Sequence, residues 1–231
     1  MTQNRYLIVF FALIFFLQTG TSEVLSSNIG PKRVLVLNSF NPGYSWTDKM
    51  LQGISETFSK SGLTIDSSVR FMDMKRIKRS DEYFRKLQEM LESGYRNINF
   101  DAILACDNDA LDFIRIYRDK LFPGVPVIFS SINDFDRKML DGRSDITGTS
   151  ENTDYLGTIN VAIKLRPATK TILVVTDNTT TGQAHRSAIE KLRDTLPKNL
   201  AIKFLSMGEM TLEELGTALS KLNEESRDKK L

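Results

Sequence analysis

The sequence predicts an α/β protein of doubly wound parallel sheets arranged in two lobes. Short β-branched and aliphatic runs alternate along the chain with apolar residues at helical spacing, and polar, turn-forming clusters close each run. Strands that alternate with helices call for a parallel sheet covered on both faces. Pro167 interrupts this order, and at Thr171 the same strand-loop-helix grammar begins again, which marks the second lobe.

The elements follow in order. Residues 33–37 form a buried strand closed by Asn38-Ser39-Phe40-Asn41-Pro42-Gly43, and Trp46, Met50, Ile54 and Phe58 then recur at four-residue spacing as a helix ending at Ser61-Gly62. Residues 65–72 give a second strand. Residues 80–91 give a second helix, with Ser80 as N-cap and Gly94 just past its end. A strand at 101–105, a helix at 110–117, a strand at 125–129 after the Pro123-Gly124 turn, and a short strand at 146–149 complete the first lobe, residues 32–152. Residues 153–231 form a hinge and a partial second lobe: a helix at 155–165, a strand at 171–175, a helix at 183–196, a strand at 201–205 and a helix at 212–222. Two parallel strands cannot close a doubly wound lobe, so the second lobe is expected to be truncated and the chain to be a fragment of a longer protein. The alternative is that the last two units extend the first sheet.

Residues 1–27 stand apart. Arg5 precedes an unbroken apolar run, residues 6–17, and small and polar residues follow to Ser27, which is the order of a secretory signal. The run is shorter than the roughly 20 residues of a membrane span. The segment is therefore a signal peptide or an N-terminal membrane anchor, and the chain is expected to be exported.

Composition excludes other classes. With 41% hydrophobic and 26% charged residues the chain can bury a core, and a net charge of +2 gives no field that would gather nucleic acid. One Cys and one His permit neither an intrachain disulfide nor a His/Cys metal cluster, and no cofactor is expected.

In an open parallel sheet, ligands bind beyond the carboxyl ends of the strands. After the first strand come Asn38, Ser39, Tyr44 and Trp46, amide and hydroxyl groups beside two rings; they suit an organic ligand, or they cap the helix while the rings pack down as a staple. After the third strand stand Asp107, Asn108 and Asp109, of which one is expected to cap the next helix while the others are open to a ligand. Ser131, Asn133 and Asp134 follow the fourth strand and Glu151 the fifth. In the second lobe the corresponding loop carries Asp177 and Thr181 in a hydroxyl-rich helix cap. The acid spacing at 107–109 lacks the Gly and Glu of a calcium loop. His185 reads as a surface or packing residue and Cys106, among acids, as an unreactive thiol. The run Lys75-Arg76-Ile77-Lys78-Arg79 reads as a solvated loop, with proximity to an anionic membrane surface as the alternative, and the candidate loops carry no Lys or Arg before Arg137. Carboxylates and rings together favour an amino acid, an amine or a nucleobase-like compound.

Particular stretches carry a family likeness. Val34-Leu35-Val36-Leu37-Asn38-Ser39-Phe40-Asn41-Pro42-Gly43-Tyr44-Ser45-Trp46-Thr47 resembles the opening of the ABC-transporter-substrate-binding-protein-like sensor domains of bacterial histidine kinases and related signalling proteins. Ala105-Cys106-Asp107-Asn108-Asp109-Ala110-Leu111-Asp112-Phe113, Leu121-Phe122-Pro123-Gly124-Val125-Pro126-Val127, Asn133-Asp134-Phe135 and Thr181-Gly182-Gln183-Ala184-His185-Arg186 fit the same family. The resemblance implies a type I periplasmic-binding-protein fold, two lobes with a hinge and a small organic ligand enclosed between them. No catalysis is expected, because the sequence assembles no nucleophile-base pair. The leading expectation is a sensor whose closure is passed to a membrane-embedded partner. The alternative it leaves is a free solute-binding protein serving a transporter.

Overall fold

In the computed structural model, residues 30–228 are described, so the leader expected over residues 1–27 lies outside the described residues. The strands are β1 (Lys32–Asn38), β2 (Ile65–Phe71), β3 (Ala102–Cys106), β4 (Val127–Asn133), β5 (Ile146–Glu151), β6 (Thr171–Thr176) and β7 (Ala201–Ser206). The helices are α1 (Ser45–Lys60), α2 (Asp81–Tyr95), α3 (Asn108–Leu121), α4 (Tyr155–Leu165), α5 (Thr180–Glu190) and α6 (Leu212–Asp228).

Five strands form one all-parallel sheet in the order β2-β1-β3-β4-β5. The two-residue alternation of β1 shows how both faces are covered. Leu35 and Leu37 enter a core with Phe84, Leu87 and Leu91 of α2 and Leu111, Phe113 and Ile114 of α3. Val34 and Val36 face the other way, onto Met50, Leu51, Ile54 and Phe58 of α1. β6 and β7 do not extend this sheet; they pair in parallel with each other over a smaller core of Ile159, Ile189, Leu196 and Ile202.

Ser80 caps α2 as expected, its side chain accepting from the Tyr83 N–H. Several boundaries differ. Gly94 lies inside α2 rather than past it, as the last residue but one of the helix. β4 continues to Asn133 and β5 to Glu151, which puts Ser131, Asn133 and Glu151 within strands instead of after them. α5 begins at Thr180, three residues before the expected start, because Thr179 caps it by accepting from the Gly182 N–H; a short 3₁₀ turn, Arg193–Thr195, replaces the expected last turn.

Candidate functional site at the carboxyl ends of β1 and β3

Chain direction across the first sheet reverses at β1, since β2 lies on one side of it and β3 on the other. A crevice outside the carboxyl ends of β1 and β3 follows from that order. Its floor is built by buried polar residues, of which Ser39, Asn108 and Asp109 have side-chain partners in the fold, whereas the Asn38 side-chain amide has none among the described residues. Asn38 is fully buried. The Ser39 hydroxyl donates to the Cys106 carbonyl at 2.8 Å and accepts from the Ala110 N–H at 2.9 Å. Ser39 thus caps α3 from the loop after β1, which corrects the expectation that an acid or amide of residues 107–109 would do so. Asp107 occupies the cap position, but with φ of 68° its side chain makes no capping bond and lines the crevice instead. Asn108 clamps β4, donating to the Asn133 carbonyl and accepting from the Asn133 N–H, both at 3.0 Å. Asp109 accepts from Thr180 Oγ1 at 2.6 Å and from Arg79 at 3.2 Å.

Above this floor lies a cleft of about 140 Å³ lined by Phe40, Tyr44, Trp46, Lys75, Asp107, Asn133, Glu151, Thr181 and His185. Tyr44 and Trp46 are 38% and 42% exposed, so both rings keep an open face to the cleft, although Tyr44 also packs edge-on against Phe40 with centroids 5.5 Å apart. Asp107, by contrast, is only 2% exposed. Burial pushes its carboxyl up to about 7, against the pull of a hydrogen bond from the Trp46 side chain; Glu151 and Asp109 push it the same way as burial and Lys75 opposes. Burial likewise drives the Cys106 thiol up to about 12, in keeping with an inert cysteine.

The remaining expected residues are placed as follows. Asp134 accepts two bonds from Lys191 Nζ, each 2.7 Å. Asp177 accepts from the Thr179 N–H and hydroxyl at the entry to α5. Ser131, at φ 62°, sits in a bulge of β4 beside Ser130 and is absent from the cleft lining. The structure therefore brings Tyr44, Trp46, Asp107, Asn133, Glu151 and Thr181 together, sets Asn38, Ser39, Asn108 and Asp109 into its supports, and leaves Ser131 outside.

Lys75 and Arg79 are not solvated-loop residues. The Lys75 ammonium lies 4.8 Å from the centroid of the Phe40 ring, 5.7 Å from that of Tyr44, and 3.8 Å from an Asp177 oxygen. Arg79 bridges Asp109 and Asp112. A basic run after a strand looks the same whether it faces solvent or acids, and only the fold shows which. The cleft consequently contains a cation, contrary to the sequence expectation. His185 is likewise part of the lining, with its Nδ1 hydrogen-bonded to the Tyr155 hydroxyl.

No protein-family model matches this chain, and no curated protein matches it in sequence. Solved structures do match in shape. The ligand-free, open structure of CD0873, a substrate-binding protein with adhesive properties from Clostridium difficile, has a TM-score of 0.53 and 14% identity, covering 83% of this chain and 62% of its own. The leucine-binding protein LivK from Thermotoga maritima has a TM-score of 0.54 and 13% identity, covering 82% and 53%. An ABC-transporter periplasmic solute-binding protein from Actinobacillus succinogenes with bound D-allose has a TM-score of 0.50 and 15% identity, covering 84% and 65%. The chain spans less than two thirds of the length of each of these structures. The strand order, the two parallel sheets and these likenesses together give this chain the type I periplasmic-binding-protein fold.

Proposed function

We propose that the chain is an extracytoplasmic binding domain that closes its two sheets on a small organic ligand and passes that closure to a membrane-embedded signalling or transport partner. The observation that carries this reading is the cleft at the switch point, where the buried Asp107 carboxylate lies beneath the open rings of Tyr44 and Trp46. Rings supply a flat apolar surface, and Asp107 and Glu151 accept from an ammonium or other donors, so an amino acid, an amine or a nucleobase-like compound fits. Lys75 adds a place for a ligand's negative end. Export is supported by the leader pattern of residues 1–27, and no helix among the described residues is long and apolar enough to cross a membrane.

Closure can be biased only by a ligand that prefers the closed state, and contacts from both lobes meet that condition because Thr181 and His185 of α5 face Asp107 and Glu151 across the cleft. Trp46 is the chain's only tryptophan, so its fluorescence reports on this cleft alone. A panel of amino acids, amines and nucleobases is expected to include a compound that changes that fluorescence saturably, with Asp107→Asn weakening it by about tenfold or more. A flat response to every member of the panel contradicts the reading. The sensor form is favoured by the sequence resemblance; loss of ligand-dependent transcription on gene deletion is the expected result, and loss of ligand uptake instead points to transport.

A further inference from the structure

Beyond Asn133, Glu151 and His185 the cleft continues into a second compartment of about 360 Å³, which shares those three residues with the first. Its charge is acidic. Asp134, Glu151 and Asp154 stand in its lining against Lys191 alone. Lys191 is engaged by Asp134, whose two oxygens each lie 2.7 Å from its Nζ, and Asp154 caps α4 by accepting from the Gly157 N–H at 2.7 Å. Glu151 holds no cation among the described residues, so negative charge stands unanswered at the shared wall.

The first compartment has the open cation that the second lacks. Lys75 lines it, and its one ion-pair partner among the described residues, Asp177, is 3.8 Å away, too far for a hydrogen bond. Asp107 lines the same compartment at 2% exposure, and one oxygen of its carboxylate has no partner among the described residues. A buried acceptor without a donor is costly to the fold, and one that lines a cleft can be answered by what enters it.

We propose that the cleft binds an amino acid with a cationic side chain, its carboxylate at Lys75, its α-ammonium between Asp107 and Glu151, and its distal cation past the shared wall in the acidic compartment. The inference rests on the binding reading above and names its ligand class. Each charged group of such a ligand then meets an opposite charge to which the fold gives no close partner. The stem has a place as well. Leu156 and the small side chains of Ala184 and Ala188 give the second compartment an apolar side for methylenes, with the charged head among polar groups. An amino acid with an apolar side chain leaves the acids beyond the wall unanswered, and a simple diamine leaves Lys75 without an anion.

Calorimetric titration of the full chain, in mild detergent, tests this with three ligands. L-lysine is compared with L-norleucine, which lacks only the distal ammonium, and with cadaverine, which lacks only the carboxylate. L-lysine is expected to bind tighter than either by about tenfold or more. Lys75→Met is expected to abolish the preference for lysine over cadaverine. Lys191→Met removes the cation of the second compartment and releases Asp134, and is expected to widen the lysine-to-norleucine ratio by about threefold. Norleucine or cadaverine binding as tightly as lysine overturns the proposal, and so does either variant leaving its ratio unchanged. The three-ligand comparison on the parent chain needs no substitution, so it decides even where circular dichroism shows a variant unfolded. If other compounds of the panel bind while lysine does not, this inference falls and the binding reading stands; if nothing in the panel binds, both fall.

Discussion

Asp107 combines a backbone angle that side chains rarely adopt with burial of an ionisable group, and both work against stability. Its carboxyl stands near 7 in the folded chain and near 4 when unfolded, so between those values the folded state keeps a proton the unfolded state has released. Stability attributable to this group is therefore greatest below about pH 4 and falls as pH rises toward 7. Asp107→Asn removes that dependence and is expected to raise stability at pH 8 by at least about 1 kcal/mol in urea titrations, while weakening ligand binding. For a cationic ligand the parent's affinity rises between about pH 6 and pH 8, as the carboxylate forms. Ser39 is the opposite case, a residue whose role is architectural. Ser39→Ala leaves the Ala110 N–H without its acceptor and is expected to cost about 2 kcal/mol in the same titration. Position after a strand was enough to point at Tyr44, Trp46 and Asp107 from sequence. It could not tell Asp107, which faces the cleft, from Asn108 and Asp109, which hold β4, α5 and Arg79, because that division depends on one backbone angle and on partners far away in the chain.

Among the elements, β4 carries the feature that sequence pattern conceals. Its register against β5 slips between Phe129 and Ile132, and the extra residue lets Ile132 stay in the core while Asn133 reaches the cleft. A run read by alternation ends where alternation fails, so the pattern predicts a strand that stops at residue 129 and a Ser131 on the rim. Helix starts were displaced for a related reason: α3 and α5 begin with Asn, Asp and Thr, residues that read as loop until their caps are seen. Opposite Phe129 in that ladder is Gly148, where a Cβ would lie 2.0 Å from the Phe129 carbonyl oxygen and 2.7 Å from its ring. Neither backbone nor ring can yield that distance without disturbing the bulge. Gly148→Ala is expected to destabilise the chain by about 1–3 kcal/mol and to loosen the placement of Asn133, seen as a lower melting temperature together with weaker ligand binding.

At the scale of the whole molecule, the two sheets are unequally covered. β1 and β3 are buried on both faces, whereas β6 is half-exposed along most of its length, with Val175 at 44%. Amide hydrogen exchange is expected to be about tenfold or more faster in β6 and β7 than in β1 and β3, and uniform protection across both sheets would show the smaller core to be as strong as the larger. The alternating strands and helices that reveal both sheets say nothing of how firmly each is held, since that depends on area removed from water. Among the described residues, three polar ties join the two halves: Thr180 to Asp109, Lys191 to Asp134 and Lys75 to Asp177. Only the last two join opposite charges, both at partly open positions, where a screening length that shrinks from about 8 Å in physiological medium to about 3 Å in molar salt weakens them, while the hydroxyl of Thr180 is indifferent. On the closure proposed above, looser ties let the empty jaws part more readily, and the rate at which a ligand enters is expected to climb with added sodium chloride even where its final affinity does not.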